Sequence, residues 1–327
     1  MSEPIAVLGA GAWGTALAIA AAARGPVRLW ARDPARAAAI AAARENARLL
    51  PGARLPAGVE VTADARAALS GAAFAILAVP AQPLASVLAG LPAALPPLIV
   101  AAKGVEQGTL RLPLETVSAL RPGLPAGVLT GPTFAHEVAA GLPAAALVAS
   151  ADPAVPALVL PRLGSGLFRL YAGDDPVGAQ VGGAAKNVVA IAAGAVIGAG
   201  FGENARAALV TRGLAEIGRL AAALGGRRET VAGLSGLGDL LLTCTGEGSR
   251  NYSLGVALGR GLGLAETLAA RTGVTEGVPT APALLARASA AGVEMPIVSA
   301  VAAVLAGEAS VAEAMRALMA RPPKAEG

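Results

Sequence analysis

Cysteine and histidine are nearly absent from this chain of 327 residues, which has one of each, Cys244 and His136. A single cysteine excludes an internal disulfide and a cysteine-based metal cluster, and it is typical of a protein that works in a reducing compartment. A Ser-His-Asp triad or a histidine metal site would have to use His136 alone. We therefore expect a cytoplasmic protein without a metal centre, and most hydrolases and metalloenzymes are disfavoured.

Aromatic residues are scarce as well, at 2% of the chain, and charged residues make up 15%. A surface that stacks nucleic-acid bases needs aromatic side chains, so we expect no nucleic-acid partner. The net charge is +4, but the longest basic run is the pair Arg227-Arg228. This scatter favours a solvated surface over a basic binding patch, although a mild attraction for anionic substrates stays open.

Two apolar stretches of the chain could be mistaken for membrane segments. Residues 4–23 carry no charge and have the hydropathy of a signal peptide or a membrane helix. However, Glu3 stands where a signal peptide would have a basic segment, and three glycines interrupt the run. The apolar run 188–200 is too short to cross a bilayer comfortably, which favours a central buried helix. We therefore predict no membrane span.

Lysine is a further scarcity, because 23 of the 26 basic residues are arginine and the lysines are Lys103, Lys186 and Lys324. Lys186 stands just before the apolar run 188–200, in a segment with a buried character. A desolvated lysine can lose its proton near neutral pH whereas arginine stays charged, so acid/base chemistry would explain a lysine here. Chance survival of a lysine at a helix start is the alternative. Lys324 is predicted to be a surface charge in the C-terminal tail.

A glycine-rich fingerprint opens the chain. Gly9, Gly11 and Gly14 match G-x-G-x-x-G between an apolar strand at 5–8 and an alanine-rich helix at about 13–23, and a second strand follows at 27–30. In a dinucleotide-binding unit the first glycine permits a tight turn, the second lets the backbone approach the pyrophosphate, and the third allows close helix–strand packing. The pyrophosphate would lie at the helix N-terminus. A chance match in an alanine- and glycine-rich chain is the alternative.

The end of the second strand bears on the choice of cofactor. An acidic residue there would bind the ribose 2′-hydroxyl of NAD, whereas an arginine accommodates the 2′-phosphate of NADP. Arg32 therefore favours NADPH, with NADH as the alternative cofactor. Asp33 stands before Pro34 and is predicted to cap the following helix, although its carboxylate keeps NAD use open.

The alternation of strands and helices continues through the first half of the chain. Residues 59–61, 74–79 and 98–102 are predicted to form buried parallel strands, and residues 128–130 and 145–148 continue the pattern. Ligands of open α/β sheets lie beyond the carboxyl ends of the strands, which places Lys103 at the cofactor edge.

From Pro176 onward the apolar spacing is helical nearly everywhere. The sequence therefore predicts an α/β N-terminal Rossmann-type domain with a mostly parallel sheet, followed by an all-α C-terminal domain. We place the dinucleotide-binding domain at residues 1–174 and the helical domain, which would carry the substrate and the catalytic lysine, at residues 175–327.

A dense polar cluster lies in the helical half. Asp239 and Thr243 are four residues apart, so on a helix they share a face. Ser249-Arg250-Asn251 combines a fork-shaped cation with hydroxyl and amide groups, which suits a phosphate; the alternative is an N-cap serine beside a surface salt bridge. His136 has no orienting partner nearby, and we place it on the exposed face of a short helix.

Together these segments resemble the bacterial NAD(P)-dependent glycerol-3-phosphate dehydrogenases over nearly the whole chain. The resemblance rests on a series of motifs in order: Gly9-Ala-Gly-Ala-Trp-Gly14-Thr-Ala-Leu17, Lys103-Gly104, Gly131-Pro-Thr133-Phe-Ala135, Gly183-Ala-Ala-Lys186-Asn187, Gly200-Phe-Gly-Glu-Asn204-Ala-Arg206, Thr211-Arg-Gly-Leu-Ala-Glu216, Gly236-Leu-Gly-Asp239, Ser249-Arg-Asn251 and Val274-Thr-Glu276-Gly277. It implies a Rossmann domain, an all-helical second domain and a homodimer. It also implies reversible reduction of dihydroxyacetone phosphate to sn-glycerol 3-phosphate, which feeds phospholipid synthesis.

The resemblance assigns roles to matched positions. Lys186 matches the catalytic lysine and a substrate contact. The other matched substrate contacts are Lys103, Gly131, Thr133, Asp239, Ser249, Arg250 and Asn251, and the matched cofactor contacts are Ala12, Trp13, Arg32, Lys103, Ala135, Arg250, Val274 and Glu276. Two positions depart from the family pattern. Ala12 stands where serine is frequent, which removes one hydroxyl from the cofactor loop, and His136 stands where lysine is common.

These assignments lead to a mechanistic hypothesis. Lys186 would exchange a proton with the substrate C2 oxygen, with its pKa lowered by burial and by the nearby charge of Lys103. Lys103 would polarise the carbonyl oxygen, Asp239 would hold and orient Lys186, and Thr243 would help to place the ammonium groups.

Two alternative functions use the same layout. One is an NADP-dependent reductase of ketopantoate or a β-hydroxy acid, whose substrate would carry a carboxylate instead of a phosphate. The other is a non-catalytic dinucleotide sensor, which would not need Lys186, Asp239 and Arg250 together.

Overall fold

A computed structural model of the chain describes residues 3–246 and 248–322. The surface position predicted for Lys324 lies outside the described residues. Within them, strands and helices alternate as far as residue 173, and helices alone follow. The α/β class of the N-terminal half and the all-α class of the C-terminal half are therefore confirmed.

The first half of the chain forms one sheet with helices between its strands. The strands are β1 (Ile5–Leu8), β2 (Val27–Trp30), β3 (Val59–Thr62), β4 (Phe74–Leu77), β5 (Leu98–Val100), β6 (Ala126–Thr130), β7 (Ala144–Ala149) and β8 (Phe168–Gly173). The helices are α1 (Ala12–Ala22), α2 (Pro34–Ala43), α3 (Ala65–Leu69), α4 (Leu84–Ala89), α5 (Pro113–Leu120), α6 (Ala135–Ala139) and α7 (Ala154–Leu163). Strands β4 and β5 end earlier than predicted, which frees the residues after them to line a cleft.

The strand order is β3-β2-β1-β4-β5-β6-β7-β8, and neighbouring strands run parallel with one exception. Strands β6 and β7 are antiparallel, with Leu129 opposite Val148. The prediction of a mostly parallel sheet is confirmed, but the continuation of the parallel pattern to β7 is wrong. An apolar run records burial on both faces and carries no signal for the direction of the strand.

The turn between β1 and α1 has the geometry that its glycines predict. Gly9 has a φ of +121°, and a side chain there would meet the Ala78 carbonyl oxygen at 2.6 Å. A Cβ on Gly14 would lie 1.9 Å from the Gly9 carbonyl oxygen. The strand–turn–helix prediction is therefore confirmed, and so is the cap of α2, whose first N–H groups donate to Asp33 Oδ1.

The second half of the chain is helical. Its helices are α8 (Pro176–Gly198), α9 (Glu203–Ala223), α10 (Arg228–Val231), α11 (Asp239–Thr245), α12 (Arg250–Gly259), α13 (Leu264–Ala269), α14 (Gly277–Ala290), α15 (Pro296–Ala306) and α16 (Val311–Met319), and a π-helical turn at Leu234–Gly238 precedes α11. Helix α8 packs against α9, α11, α12 and α14, so it is the centre of this half.

Helix α8 confirms one prediction and corrects another. It starts already at Pro176, so by length and composition it could cross a membrane, and the argument that residues 188–200 are too short is wrong. Its apolar residues nevertheless form the core of the helical half, and 89% of its most apolar window is buried inside the protein. The core helix of a globular protein passes the same length test, and the prediction of a central buried helix is confirmed.

Candidate active site

A cleft of about 810 Å³ opens where the carboxyl ends of the central strands face the helical half. Its lining includes most of the residues predicted to bind cofactor or substrate: Gly9, Gly11, Ala12, Trp13, Arg32, Lys103, Thr133, Ala135, Lys186, Asp239, Thr243, Ser249, Arg250, Asn251, Val274 and Glu276. Gly14 and Gly131 lie behind this lining. Gly14 packs on the turn of Gly9, whereas the carbonyl oxygen of Gly131 accepts hydrogen bonds from Lys103 and Thr133.

One carboxylate joins the two described lysines. Lys186 Nζ donates to Asp239 Oδ1 at 2.7 Å, and Lys103 Nζ donates to Asp239 Oδ2 at 2.6 Å. The Asp239 side chain is 1% exposed, and those of Lys186 and Lys103 are 9% and 14% exposed. Two amines and one acid from three separate parts of the chain therefore form a buried cluster with a net positive charge when all three are ionised.

The cluster leaves one N–H of each ammonium group free. Lys186 Nζ also donates to Thr243 Oγ1 at 2.8 Å, and Lys103 Nζ also donates to the Gly131 carbonyl oxygen at 3.2 Å. An ammonium group has three donors, so one donor on each lysine has no acceptor among residues 3–246 and 248–322. Because both side chains line the cleft, these donors can serve a bound substrate.

Thr243 fixes the direction of the Lys186 amine. Its hydroxyl donates to the Asp239 carbonyl oxygen at 2.6 Å, one helical turn earlier on α11. Since the hydroxyl proton is used there, the oxygen is left to accept from Lys186. The prediction that Asp239 and Thr243 share a helical face is confirmed, and both side chains contact Lys186.

Close backbone packing brings Asp239 to Lys186. A Cβ on Gly182 of α8 would lie 2.8 Å from the Ser235 carbonyl oxygen, and one on Gly236 would lie 1.9 Å from the Val231 carbonyl oxygen. The π-helical turn therefore lies directly on α8, one turn before the lysine, and α11 starts at Asp239.

Burial and charge set the proton affinities of the cluster. The pKa of Lys186 is lowered to about 8, mainly by burial. Asp239 opposes this shift, whereas the charge of Lys103 adds to it. Burial alone would raise the pKa of Asp239, but the ammonium groups of Lys103 and Lys186 outweigh it and hold that pKa below its usual range. At neutral pH the carboxyl is ionised, and Lys186 is an amine that can both give and take a proton.

Helix α12 begins at the edge of the cluster. Ser249 caps it by accepting from the Tyr252 N–H at 3.2 Å, as the simpler interpretation of this motif predicted. That interpretation also placed Arg250 in a surface salt bridge, and the described residues provide no carboxylate within bonding distance of it. Arg250 lines the cleft as an exposed cation beside the N-terminus of a helix, which is a favourable place for a phosphate.

A pair of amides connects α8 with α12 and α14. Asn251 Nδ2 donates to Asn187 Oδ1 at 3.0 Å, and Asn251 Oδ1 accepts from the Gly277 N–H at 3.0 Å. Asn187 Nδ2 donates in turn to the Lys103 carbonyl oxygen at 3.3 Å. Sequence reasoning did not single out Asn187 for this position, and its only signal was its place directly after Lys186.

Glu276 ties the helical half to the sheet. Its Oε1 accepts from the Ala81 N–H at 3.0 Å, in the segment after β4, and burial raises its pKa. Val274, two residues earlier, is 47% exposed at the rim of the cleft. His136 also lies at this rim, exposed as predicted and stacked on Phe134 with ring centroids 5.7 Å apart.

The residues around the glycine turn fit a dinucleotide. A Cβ on Gly11 would meet no atom within 4 Å, so the space in front of the turn is open. Helix α1 begins there without a side-chain cap, which leaves its first N–H groups available for a pyrophosphate. Trp13 lines the cleft, although its ring packs edge-on against Phe168 at 6.5 Å.

Comparisons with known proteins agree with this geometry. Sequence models of the N-terminus and C-terminus of NAD-dependent glycerol-3-phosphate dehydrogenase match residues 4–155 and 175–316. The glycerol-3-phosphate dehydrogenases (NAD(P)+) of Rhodospirillum rubrum and Gluconobacter oxydans are each 51% identical, over 99% and 98% of this chain and 94% and 98% of their own lengths. The crystal structure of glycerol-3-phosphate dehydrogenase from Coxiella burnetii matches with a TM-score of 0.94 at 38% identity, and the match covers 98% of this chain and 99% of that one. This chain therefore belongs to the NAD-dependent glycerol-3-phosphate dehydrogenase family.

Proposed function

We propose that this protein interconverts dihydroxyacetone phosphate and sn-glycerol 3-phosphate with NADPH or NADH and so supplies glycerol 3-phosphate for phospholipid synthesis. Membership of the family supports the reaction class. The observation that carries the proposal is the shared carboxylate of Asp239, which holds the amines of Lys186 and Lys103 at the cleft with one free donor each.

Lys186 and Lys103 have different roles at the C2 oxygen of the substrate. A nicotinamide dinucleotide held at the glycine turn of Gly9 and Gly11 and at the N-terminus of α1 would supply or accept the hydride at C2. In the reduction, Lys186 donates a proton to the oxygen as negative charge develops on it, and in the oxidation the neutral amine takes the hydroxyl proton. The ammonium group of Lys103 stabilises the charge on the same oxygen. Asp239 keeps both amines in place, and Thr243 prevents Lys186 from rotating away.

The phosphate of the substrate would bind at the start of α12. Arg250 offers there a guanidinium that pairs with no carboxylate of the described residues, and Ser249 and Asn251 lie beside it at the cleft. Binding of the phosphate at the start of α12 would hold the C2 carbon of the substrate in place for hydride transfer. The matched contacts of Gly131, Thr133, Ala135, Val274 and Glu276 with substrate or cofactor stay predictions of the same proposal.

We also expect a homodimer in the cytoplasm, with domains at residues 1–174 and 175–327. These expectations come from the sequence and the family resemblance, and the end of β8 at Gly173 and the start of α8 at Pro176 are compatible with the division. Sedimentation equilibrium of the purified protein measures the oligomeric state, and a monomer at micromolar concentration would contradict the dimer.

A substrate comparison tests the proposed reaction. The purified protein is assayed with NADPH and either dihydroxyacetone phosphate or ketopantoate, and turnover of the phosphoester alone is the expected result. Preferred turnover of ketopantoate would assign the protein to the carboxylate reductases. Tight NADPH binding without turnover of either compound would favour the non-catalytic sensor.

A further inference from the structure

Arg36 lies at the cofactor end of the cleft without a carboxylate partner. It lies in the first turn of α2, four residues after Arg32, and both residues line the cleft. Its Nη2 donates to the Ala10 carbonyl oxygen within the glycine turn, and its Nε is buried without a hydrogen-bond partner. No salt bridge to Arg36 exists within residues 3–246 and 248–322.

The Arg36 guanidinium lies in positively charged surroundings. Burial lowers the pKa of Arg36, and the nearby charge of Arg48 lowers it further. A lowered pKa in a basic group means that its surroundings disfavour the charged form, and an anion bound beside it would reverse that effect. The charges of Arg32, which lines the cleft, and of Arg48, which lies near Arg36, add to the attraction for an anion.

Asp33 does not neutralise the charge of the Arg36 guanidinium. Its Oδ1 accepts from the N–H groups of Ala35 and Arg36 at 2.9 and 3.3 Å, because it caps α2. Its charge offsets only part of the two effects that lower the pKa of Arg36. The edge that would contact the adenosine ribose therefore presents guanidinium groups, which suit a 2′-phosphate, whereas an NAD site presents a carboxylate to the ribose hydroxyl.

The glycine turn holds Arg36 in place before any ligand binds. The Ala10 carbonyl oxygen accepts a second hydrogen bond, at 2.9 Å, from Nδ2 of the buried Asn46, and the same nitrogen donates to Thr15 Oγ1 at 2.8 Å. Asn46 and Arg36 thus donate to the same carbonyl oxygen of the turn that is predicted to bind the pyrophosphate. A side chain already fixed in the free protein loses less conformational entropy when a ligand binds to it.

We propose that Arg36 is the main residue that selects NADPH over NADH, because its fixed guanidinium binds the 2′-phosphate while Arg32 and the nearby Arg48 add positive charge. The proposal rests on the proposed function only in requiring a nicotinamide dinucleotide in the cleft. It assigns to Arg36 the role that the sequence pattern alone gave to Arg32.

Calorimetric titration of the free protein with NADPH and with NADH tests this role without any substrate. Arg36→Gln removes the charge but keeps a side-chain N–H for the Ala10 carbonyl oxygen. We expect it to weaken NADPH binding by about 10- to 100-fold and NADH binding by less than about 3-fold, the range for loss of a charge-assisted hydrogen bond. Arg36→Lys restores the charge and should recover part of the NADPH affinity.

Matched variants separate the charge from the support of the turn. Asn46→Ala removes the other donor to the Ala10 carbonyl oxygen without a change of charge, and it should weaken the two cofactors equally. Arg66→Gln changes the net charge equally at an exposed site outside the cleft lining and should change neither. Thermal melts of each variant establish that it is folded.

Several outcomes would overturn the assignment of Arg36. Equal weakening of both cofactors by Arg36→Gln would make it a structural residue only, and a larger selective loss in Arg32→Gln would return the role to Arg32. Equal affinities of the unaltered protein for NADPH and NADH would also refute it, while turnover of dihydroxyacetone phosphate would leave the proposed function intact. Failure to bind either cofactor would refute both.

Discussion

At the scale of single residues, the site depends on one acid that is shared by two amines. Asp239 keeps Lys186 and Lys103 close together although their like charges repel, and burial makes the proton on Lys186 easy to remove. Arginine could occupy the same place and bind the same carboxylate, but it cannot give up a proton near neutral pH. This difference separates the acid/base role that we propose for Lys186 from a purely electrostatic one.

Replacement of Lys186 by arginine tests that difference. We expect Lys186→Arg to keep the fold and the NADPH affinity and to lower kcat by about 10²- to 10⁴-fold, the range for loss of a general acid/base. Steady-state kinetics with dihydroxyacetone phosphate and calorimetric titration with NADPH measure the two effects. A kcat within a few-fold of the unaltered protein would mean that a positive charge at this position is sufficient.

Much of the candidate active site could be predicted from single residues, and the rest could not. Lys186 is prominent because lysine is rare, and Asp239 and Thr243 are related by helical spacing. Asn187 carries no charge and has no distinctive spacing, so its bonds to Lys103 and Asn251 appear only in three dimensions. Arg36 is one arginine among 23, and the absence of a carboxylate partner for it among the described residues is a property of the folded chain.

At the scale of elements, glycines let α8 and α12 pack backbone against backbone. A Cβ on Gly194 would lie 2.0 Å from the Tyr252 carbonyl oxygen, and a Cβ on Gly255 would lie 2.0 Å from the Ile191 carbonyl oxygen. Helix α8 carries Lys186 and α12 begins at Arg250, so this contact sets the distance between the acid/base and the proposed phosphate site.

A methyl group at this contact should therefore affect both stability and activity. We expect Gly255→Ala to lower the free energy of unfolding by about 1–3 kcal/mol or more, as overpacking does, and to lower kcat/KM because α12 must move away from α8. Urea unfolding and steady-state kinetics measure the two quantities.

Gly218 provides the matched control for a helical glycine. It lies inside α9, where a Cβ would meet Arg228 Cγ at an ordinary 3.7 Å. Gly218→Ala should leave kcat/KM unchanged and raise the free energy of unfolding by up to about 1 kcal/mol. Equal effects of the two substitutions would show that the contact between α8 and α12 does not position the site.

Most elements could be predicted from local patterns, and two features could not. Apolar runs predicted seven of the eight strands, β1 to β7, because buried strands need them, yet the antiparallel direction of β7 follows from its pairing with β6. Gly182 and Gly183 made α8 look shorter in the sequence than it is, because glycine is a poor helix former. Glycine is nevertheless required inside a helix where a neighbouring element packs too closely to admit a side chain. Here Ser235 of the π-helical turn and Thr130 of β6 provide those neighbours.

At the scale of the whole molecule, a buried carboxylate joins distant helices. Glu216 of α9 is 3% exposed, and its oxygens accept from the Ile297 and Val298 N–H groups at the start of α15, at 2.8 and 3.4 Å. Burial raises its pKa from 4.5 to about 7, against the effect of those N–H groups and of Arg219 and Arg321.

This pKa makes stability depend on pH in a defined direction. Between pH 4.5 and about 7 the folded protein keeps the Glu216 proton while the unfolded chain has lost it. The folded state binds more protons there, so the contribution of Glu216 to stability is present below that window and is lost as the pH rises through it. The loss should be on the order of 2–3 kcal/mol.

Comparison with Glu216→Gln isolates this contribution, because glutamine can accept the same hydrogen bond but does not titrate. Urea unfolding of both proteins at about pH 5 and pH 8 gives four free energies of unfolding. We expect the free energy of unfolding of the unaltered protein, relative to that of the variant, to decrease from pH 5 to pH 8 by on the order of 2–3 kcal/mol. A difference that does not change with pH would mean that Glu216 is ionised throughout.

The central claim is that Lys186 moves the proton that accompanies hydride transfer. The most direct measurement is the rate constant of hydride transfer in single turnovers, followed by nicotinamide absorbance in both directions at roughly pH 7 to 10. With a Lys186 pKa of about 8, the rate of reduction should fall and the rate of oxidation should rise through the same apparent pKa near that value. Rates that change in the same direction, or that do not depend on pH in this range, would contradict the account.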